Sequence, residues 1–278
     1  MTRMFSTILT ISIFVSSGSV DAQNLVFQRT SAQATASTFA EAQVPGNLDT
    51  DSDNPTPATG SAPTITSAIG ALARGFPLTV SASADCFSQF NPDGQVVTQL
   101  ISMAYAEQLV EANECGGRAE SEAETEGTSQ LEIVDTTGAG GTVTVSATIK
   151  LIWSNTLNTT EGQGAATNIV TSGQVFGSVS HNGQTFSATA SLEYGFGIVN
   201  YPNGSYDYFT VDEEGQFEET ASFNNISAGS DFELNGDASA VGELNYGGET
   251  SSCGSGYEIQ QGGTQACENW SEVTLTIQ

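Results

Sequence analysis

Asp49, Asp51 and Asp53 alternate with Thr50 and Ser52, and Glu120, Glu122, Glu124 and Glu126 repeat that two-residue spacing later in the chain. Carboxylates are hard oxygen ligands, so both runs are candidates for calcium, the one cofactor the composition suggests. The first run imitates the opening half of an EF-hand loop. It then departs from it, with Asn54 where the sixth-position Gly belongs and Gly60 where the closing Glu belongs, which makes a solvated linker the simpler reading. The second run, on a strand, puts four carboxylates on one face. Like charges aligned along a strand repel, so that face must be solvated or hold cations.

Catalytic chemistry finds little to work with. His181 is the only histidine, it sits in an Asn-Gly turn pattern, and no Gly-x-Ser-x-Gly elbow occurs, so no hydrolytic triad is indicated. No phosphate-binding loop or dinucleotide fingerprint follows any expected strand. Glu213, Glu214, Glu218 and Glu219 could supply the acid pair of a glycosidase, but they flank a turn in a chain full of acids, where solvation is the default. Binding has better support. Tyr194, Tyr201, Tyr206 and Tyr208, with Phe196, gather around Pro202-Asn203-Gly204, and aromatic rings beside Asn and Asp suit the apolar faces and hydroxyls of a carbohydrate. Core packing and cross-strand aromatic pairs explain the same residues more simply.

Residues 1–22 have the pattern of a secretory signal peptide: Arg3, an apolar run from Phe5, and Val20 and Ala22 at the cleavage positions, so the mature chain is expected to begin at Gln23. The apolar run is too short for the roughly 20 residues of a membrane span. Export makes the four cysteines, Cys86, Cys115, Cys253 and Cys267, most simply two disulfides. Nearness in sequence favours Cys86–Cys115 and Cys253–Cys267. Without a Cys-x-x-Cys pair, or a histidine near any cysteine, a zinc site is not indicated.

Thirty-two acids stand against five bases, a formal net charge of -27. Removing Arg3 and Asp21 with the signal leaves 31 acids and four bases, again -27, so the imbalance belongs to the folded part. Such a surface repels nucleic acid and anionic lipid, which need clustered Lys and Arg.

The elements that must carry these residues read as strands. Residues 23–63, rich in Ala, Thr, Ser, Gln and Pro, are expected as a low-complexity leader or linker, with an edge strand conceivable over 24–30. From Leu78 on, polar and apolar residues alternate between turn signals. Asn91-Pro92-Asp93-Gly94 and His181-Asn182-Gly183-Gln184 are hairpin turns, the second suited to type I′. Tyr201 to Gly204, Asp212 to Gly215 and Asn235-Gly236-Asp237 are expected to be further reversals. Residues 95–114 fit a helical stripe or a strand, with strand favoured by the preceding turn. Trp153 and Trp270 are expected in the core.

The expectation is an all-β antiparallel β-sandwich or jelly roll over residues 64–278, preceded by that extended segment. The style of the sequence suggests a bacterial source. In function the chain is expected to be a secreted or cell-surface acidic protein, a non-catalytic surface, matrix or envelope component. Its expected partners are polysaccharide or other surface proteins, with no nucleic acid and no membrane span. An extracellular carbohydrate-binding module is the alternative, and a glycan-active enzyme the third reading.

Overall fold

The computed structural model describes residues 25–44, 47–75, 78–94, 96–110, 117–159, 168–193, 196–200, 203, 205–210, 214–246 and 263–278. These residues form fifteen strands and two antiparallel sheets packed face to face, a β-sandwich. Sheet A has nine strands in the order β12-β11-β10-β9-β14-β7-β1-β2, with β3 also on β1; sheet B has six, in the order β13-β8-β15-β6-β5-β4.

The strands are β1 (Leu25–Val44), β2 (Asn47–Asp53), β3 (Ala58–Gly60), β4 (Thr64–Gly75), β5 (Leu78–Phe90), β6 (Val96–Val110), β7 (Gly117–Asp135) and β8 (Val143–Thr159). They continue as β9 (Asn168–His181), β10 (Gln184–Glu193), β11 (Phe196–Asn200), β12 (Tyr206–Thr210), β13 (Glu214–Ile226), β14 (Asp231–Tyr246) and β15 (Gly263–Ile277). From β7 onward the chain crosses repeatedly between the sheets, so the centre of each sheet is built from strands distant in sequence. Among the described residues no helix is long and apolar enough to cross a membrane.

The segment expected as a leader is a structural strand. β1 is 20 residues long, about 65 Å at the usual rise per residue, and pairs with β7 from Leu25↔Asp135 to Gln43↔Arg118. Composition misleads here because its inward residues are small. Ala32, Ala34, Ala36, Ala40 and Ala42 are buried one after another, so strict period two replaces bulk as the strand signal. Residues 96–110 are likewise strand, β6.

The interior changes character along the strands. At one end lie Phe27, Leu131, Ile133, Val145, Phe232 and Leu275. At the other, Ala36, Ala82, Ala84, Ala104, Ala106, Ala123, Ala238 and Ala240 pack together. Alanine layers hold less volume than aromatic ones, so close packing brings the sheets nearer together there.

Between the two regions the interior is polar and narrow. Ser102 Oγ donates to Gly236 O at 2.7 Å, Ser271 Oγ to Phe176 O at 2.6 Å and Asn269 Nδ2 to Ser239 O at 2.6 Å, each bond crossing from sheet B to sheet A. Cys86 belongs to this layer. It is a free, buried thiol that donates to Glu126 O at 3.5 Å, and burial pushes its pKa up to about 11. The expected Cys86–Cys115 disulfide is therefore not formed, because Cys86 points inward against the backbone of β7. Cys115 and Cys253 lie outside the described residues, and Cys267 is described only by its backbone pairing with Ala106 and Asn155.

Arg29 fixes the large-residue end. It follows buried Leu25 and Phe27 in the same period-two phase, just before a register shift between Arg29 and Ser31, so its side chain points inward, where Nη1 donates to Ala62 O at 2.8 Å and Nη2 to Ser88 Oγ at 2.7 Å, with the Phe90 ring 5.3 Å away. Burial lowers its pKa to about 10. One side chain thus ties β1 to β5 and to the link before β4.

Two turns match expectation. Gly94 N donates to Asn91 O at 3.1 Å, and Asn182 and Gly183 take φ of 49° and 74°, the left-handed pair a type I′ turn requires. Asn235-Gly236-Asp237 is not a turn: β14 runs straight through it. The reversal before β14 lies instead at residues 227–230, with Gly229 at φ 83°. Asp212 and Glu213 lie outside the described residues; β12 before them and β13 after them belong to different sheets.

Candidate functional site

The outer faces of the sandwich are its candidate sites, and they differ in chemistry. On sheet A, the register of β7 with its neighbours sets Glu120 between Glu41 and Glu243, and Glu126 between Thr35 and Asp237. Glu122, Glu124 and Glu126 are exposed, as the two-residue spacing predicts. Arg118 is the cation of this face, its Nη2 donating to Glu120 at 2.7 Å, the one ion pair among the described residues. Crowding acts on Asp237: burial first, then Glu126 and Glu124, raise its pKa to about 6. Glu120 is raised too, mainly by burial and against the pull of Arg118.

This row lacks the convergence of a metal centre. Successive outward residues on a strand stand about 6.6 Å apart, whereas calcium gathers its oxygens at roughly 2.3–2.6 Å. Among the described residues no three His, Cys, Asp or Glu are grouped to hold an ion.

Asp49 and Asp51 have other work. β2 pairs with β1 at one edge of sheet A, and its aspartates stand toward β4, the edge strand of sheet B. Asp51 Oδ2 accepts from the backbone N–H of Leu72 at 2.9 Å, and Asp49 Oδ2 from that of Arg74 at 2.7 Å. Asp53, exposed, follows at the same spacing. The run that imitates a calcium loop is a strand whose period matches the free N–H groups of its neighbour.

His181 closes the β9–β10 hairpin. Its ring stacks on Phe232 at 4.4 Å, Nδ1 donates to Asp231 O at 2.8 Å, and Nε2 accepts from Asn182 Nδ2 at 3.1 Å. Both ring nitrogens are occupied by structural bonds. A shallow polar groove beside it is lined by Gln130, Ser180, Asn182 and Glu233, among others.

Of the tyrosines, Tyr206 and Tyr208 lie in β12, at the edge of sheet A, opposite Asn200 and Ile198 of β11. Tyr194 and Tyr201 lie outside the described residues, as does Glu213. Glu218 stands opposite Lys150 on sheet B and is exposed.

The outer face of sheet B was not singled out by the sequence, and it is the more apolar one. Register places Ile152, Trp270, Met103 and Asp85 in one cross-strand row, and Lys150, Glu272, Ile101 and Phe87 in the next. Trp270 is only part-buried, with Lys150 Nζ 5.2 Å from its ring, while Gln99 Nε2 donates to Glu272 at 2.5 Å. Trp153, by contrast, is in the core as expected. The signal for this face was present in the alternation: Ile152 and Trp153 are adjacent, so only one of them can point inward.

No protein-family model matches the chain, and no curated protein is similar to it. Solved structures that align with it include a chain from the crystal structure of the T13 particle of infectious bursal disease virus, at 7% identity and a TM-score of 0.15. Another comes from the Gx strain of that virus, at 10% identity and a TM-score of 0.14. Each alignment covers 91% of this chain but only 63% and 65% of the viral chains, and likeness at that level carries no argument about fold or function.

Proposed function

We propose that this chain is a non-catalytic structural component of an extracellular surface, matrix or envelope, exported by the signal segment at residues 1–22. The observation that supports it best is the pairing of an acidic outer face, Glu120 to Glu126 with Asp237 and Glu243, with an apolar outer face around Trp270 on the other sheet. Two flat, chemically distinct faces on long strands suit lateral contact with other surface components, while the buried polar groups of the interior hold the sheets together. Fractionation of the source cells tests it. The chain is expected in the medium or the washed surface fraction with its N-terminus at Gln23. Recovery from the cytosol with residues 1–22 intact would overturn the reading.

A second reading, a carbohydrate-binding module, draws on the sheet B face. Trp270, with Met103 and Phe87 nearby and Glu272, Lys150 and Asp85 around them, offers a ring for a sugar face and polar groups for its hydroxyls. A glycan array and affinity electrophoresis test it. Trp270→Ala is expected to weaken any polysaccharide binding by about two- to twelvefold, the roughly 0.5–1.5 kcal/mol of a lost aromatic contact. Binding that survives this change would return attention to Tyr206 and Tyr208.

A further inference from the structure

We propose that Asp49 and Asp51 form a side-chain latch over the β4 edge, and that this latch keeps the edge from pairing with β4 of a second copy. An edge strand presents unpaired N–H and C=O groups that template another chain. Here two of those N–H groups, at Leu72 and Arg74, are occupied by the Asp51 and Asp49 carboxylates at 2.9 and 2.7 Å. The carboxylates do what a further strand would do, at the same two-residue period, without extending the sheet.

Two independent features say what the latch holds back. β4 reads Thr-Ile-Thr-Ser-Ala-Ile-Gly-Ala-Leu-Ala-Arg-Gly: it carries no acid and a single charge, Arg74, next to its end, so two β4 edges would meet without the carboxylate repulsion that the rest of this surface imposes. Exposed apolar bulk also gathers here. Among the described residues the large exposed hydrophobics are Leu48 in β2, Leu72 in β4 and Val96, so two of the three lie on the strands of this seam. Leu72 itself carries one of the latched N–H groups. Removing the carboxylates would therefore uncover backbone donors beside an apolar side chain that is already exposed, on a strand without an acid. The occupant that fits is an antiparallel β4 from another molecule.

The full chain carrying Asp49→Ala and Asp51→Ala, compared with wild type by sedimentation velocity and amide hydrogen exchange, tests this. Wild type is expected to be monomeric at this edge. The alanine variant should show concentration-dependent association, and at low concentration the Leu72 and Arg74 amides should exchange at least about tenfold faster. Asp49→Asn with Asp51→Asn removes the same two charges but keeps an oxygen acceptor, so it should stay latched and monomeric. Adding Leu72→Lys to the alanine variant should abolish association. If the double alanine chain does not fold, Asp51→Ala alone should release the Leu72 amide. The proposal is overturned if the alanine variant stays monomeric with unchanged amides. It is equally overturned if the asparagine variant associates as strongly, since charge alone would then be at work, or if Leu72→Lys leaves association intact.

Discussion

Asp237 shows how a crowded acidic face affects one side chain. Its carboxyl titrates at about 6 because burial, then Glu126 and Glu124, disfavour the charged form. The folded chain therefore holds that proton more tightly than the unfolded chain, whose carboxyl titrates at 3.8. The resulting stabilisation is full below pH 3.8, declines as pH rises through 6 and is gone above it. We predict that Asp237→Asn raises the unfolding free energy at pH 7.5 by on the order of 1 kcal/mol, after discount for solvent screening. The gain should shrink to a small remnant near pH 4, where the folded wild-type carboxyl is already neutral. Denaturant melts of the two chains at both pH values check it, and an equal gain at pH 4 would mean that charge at this position is not the cause.

At the scale of the element, the interface between the sheets depends on a row of three glycines. Gly127, Gly236 and Gly177 lie side by side on β7, β14 and β9. A Cβ on Gly127 would meet Leu100 Cδ1 at 2.6 Å and Cys86 Sγ at 2.8 Å, and one on Gly177 would meet Ile149 Cγ2 at 2.8 Å. A Cβ on Gly236 meets nothing nearer than 3.5 Å. Gly127→Ala and Gly177→Ala are expected to cost about 1–3 kcal/mol by overpacking, and Gly236→Ala less than about 1 kcal/mol. Thermal melts of the three variants separate these outcomes; equal losses would show that strand propensity, not inter-sheet contact, governs the row. The same glycines explain what the sequence could and could not disclose. Asn182-Gly183 and Asn235-Gly236 look alike in sequence, yet only the first is a turn, because Gly236 lies mid-strand, paired with Gly127 on one side and Gly177 on the other. Local chemistry identifies a hairpin, whereas a close approach across the sandwich depends on residues far away in the chain. β1 was hidden for a related reason, its inward alanines making a composition typical of a linker. The outer aromatic row is also non-local: Trp270, Met103 and Ile152 meet only through the pairing of β15 with β6 and β8.

For the molecule as a whole, charge is the dominant stress. Residues 23–278 carry four bases, and they do little to neutralise 31 acids. Arg29 is directed to carbonyl and hydroxyl oxygens inside, Lys150 lies over Trp270, and Arg118 alone pairs with a carboxylate among the described residues. The remaining carboxylates repel one another through solvent, and salt screens that repulsion over about 10 Å at 0.1 M. Neighbours along and across β7 fall within that distance, since outward residues of one strand stand about 6.6 Å apart and adjacent strands about 4.8 Å. Raising sodium chloride from about 10 mM to 150 mM, which shortens the screening length from roughly 30 to 8 Å, should therefore raise the melting midpoint by a few °C, on the order of 1 kcal/mol for a chain of this size. Replacing Glu122 and Glu124 together by Gln should shrink that salt response, because it removes two of the four carboxylates in the β7 row. Calcium supplies the contrast: at matched ionic strength a diffuse acidic face responds to calcium and magnesium alike, whereas a built site favours calcium. A midpoint that stays flat between the two salt concentrations would show that the carboxylates are already screened well enough by water not to strain the fold.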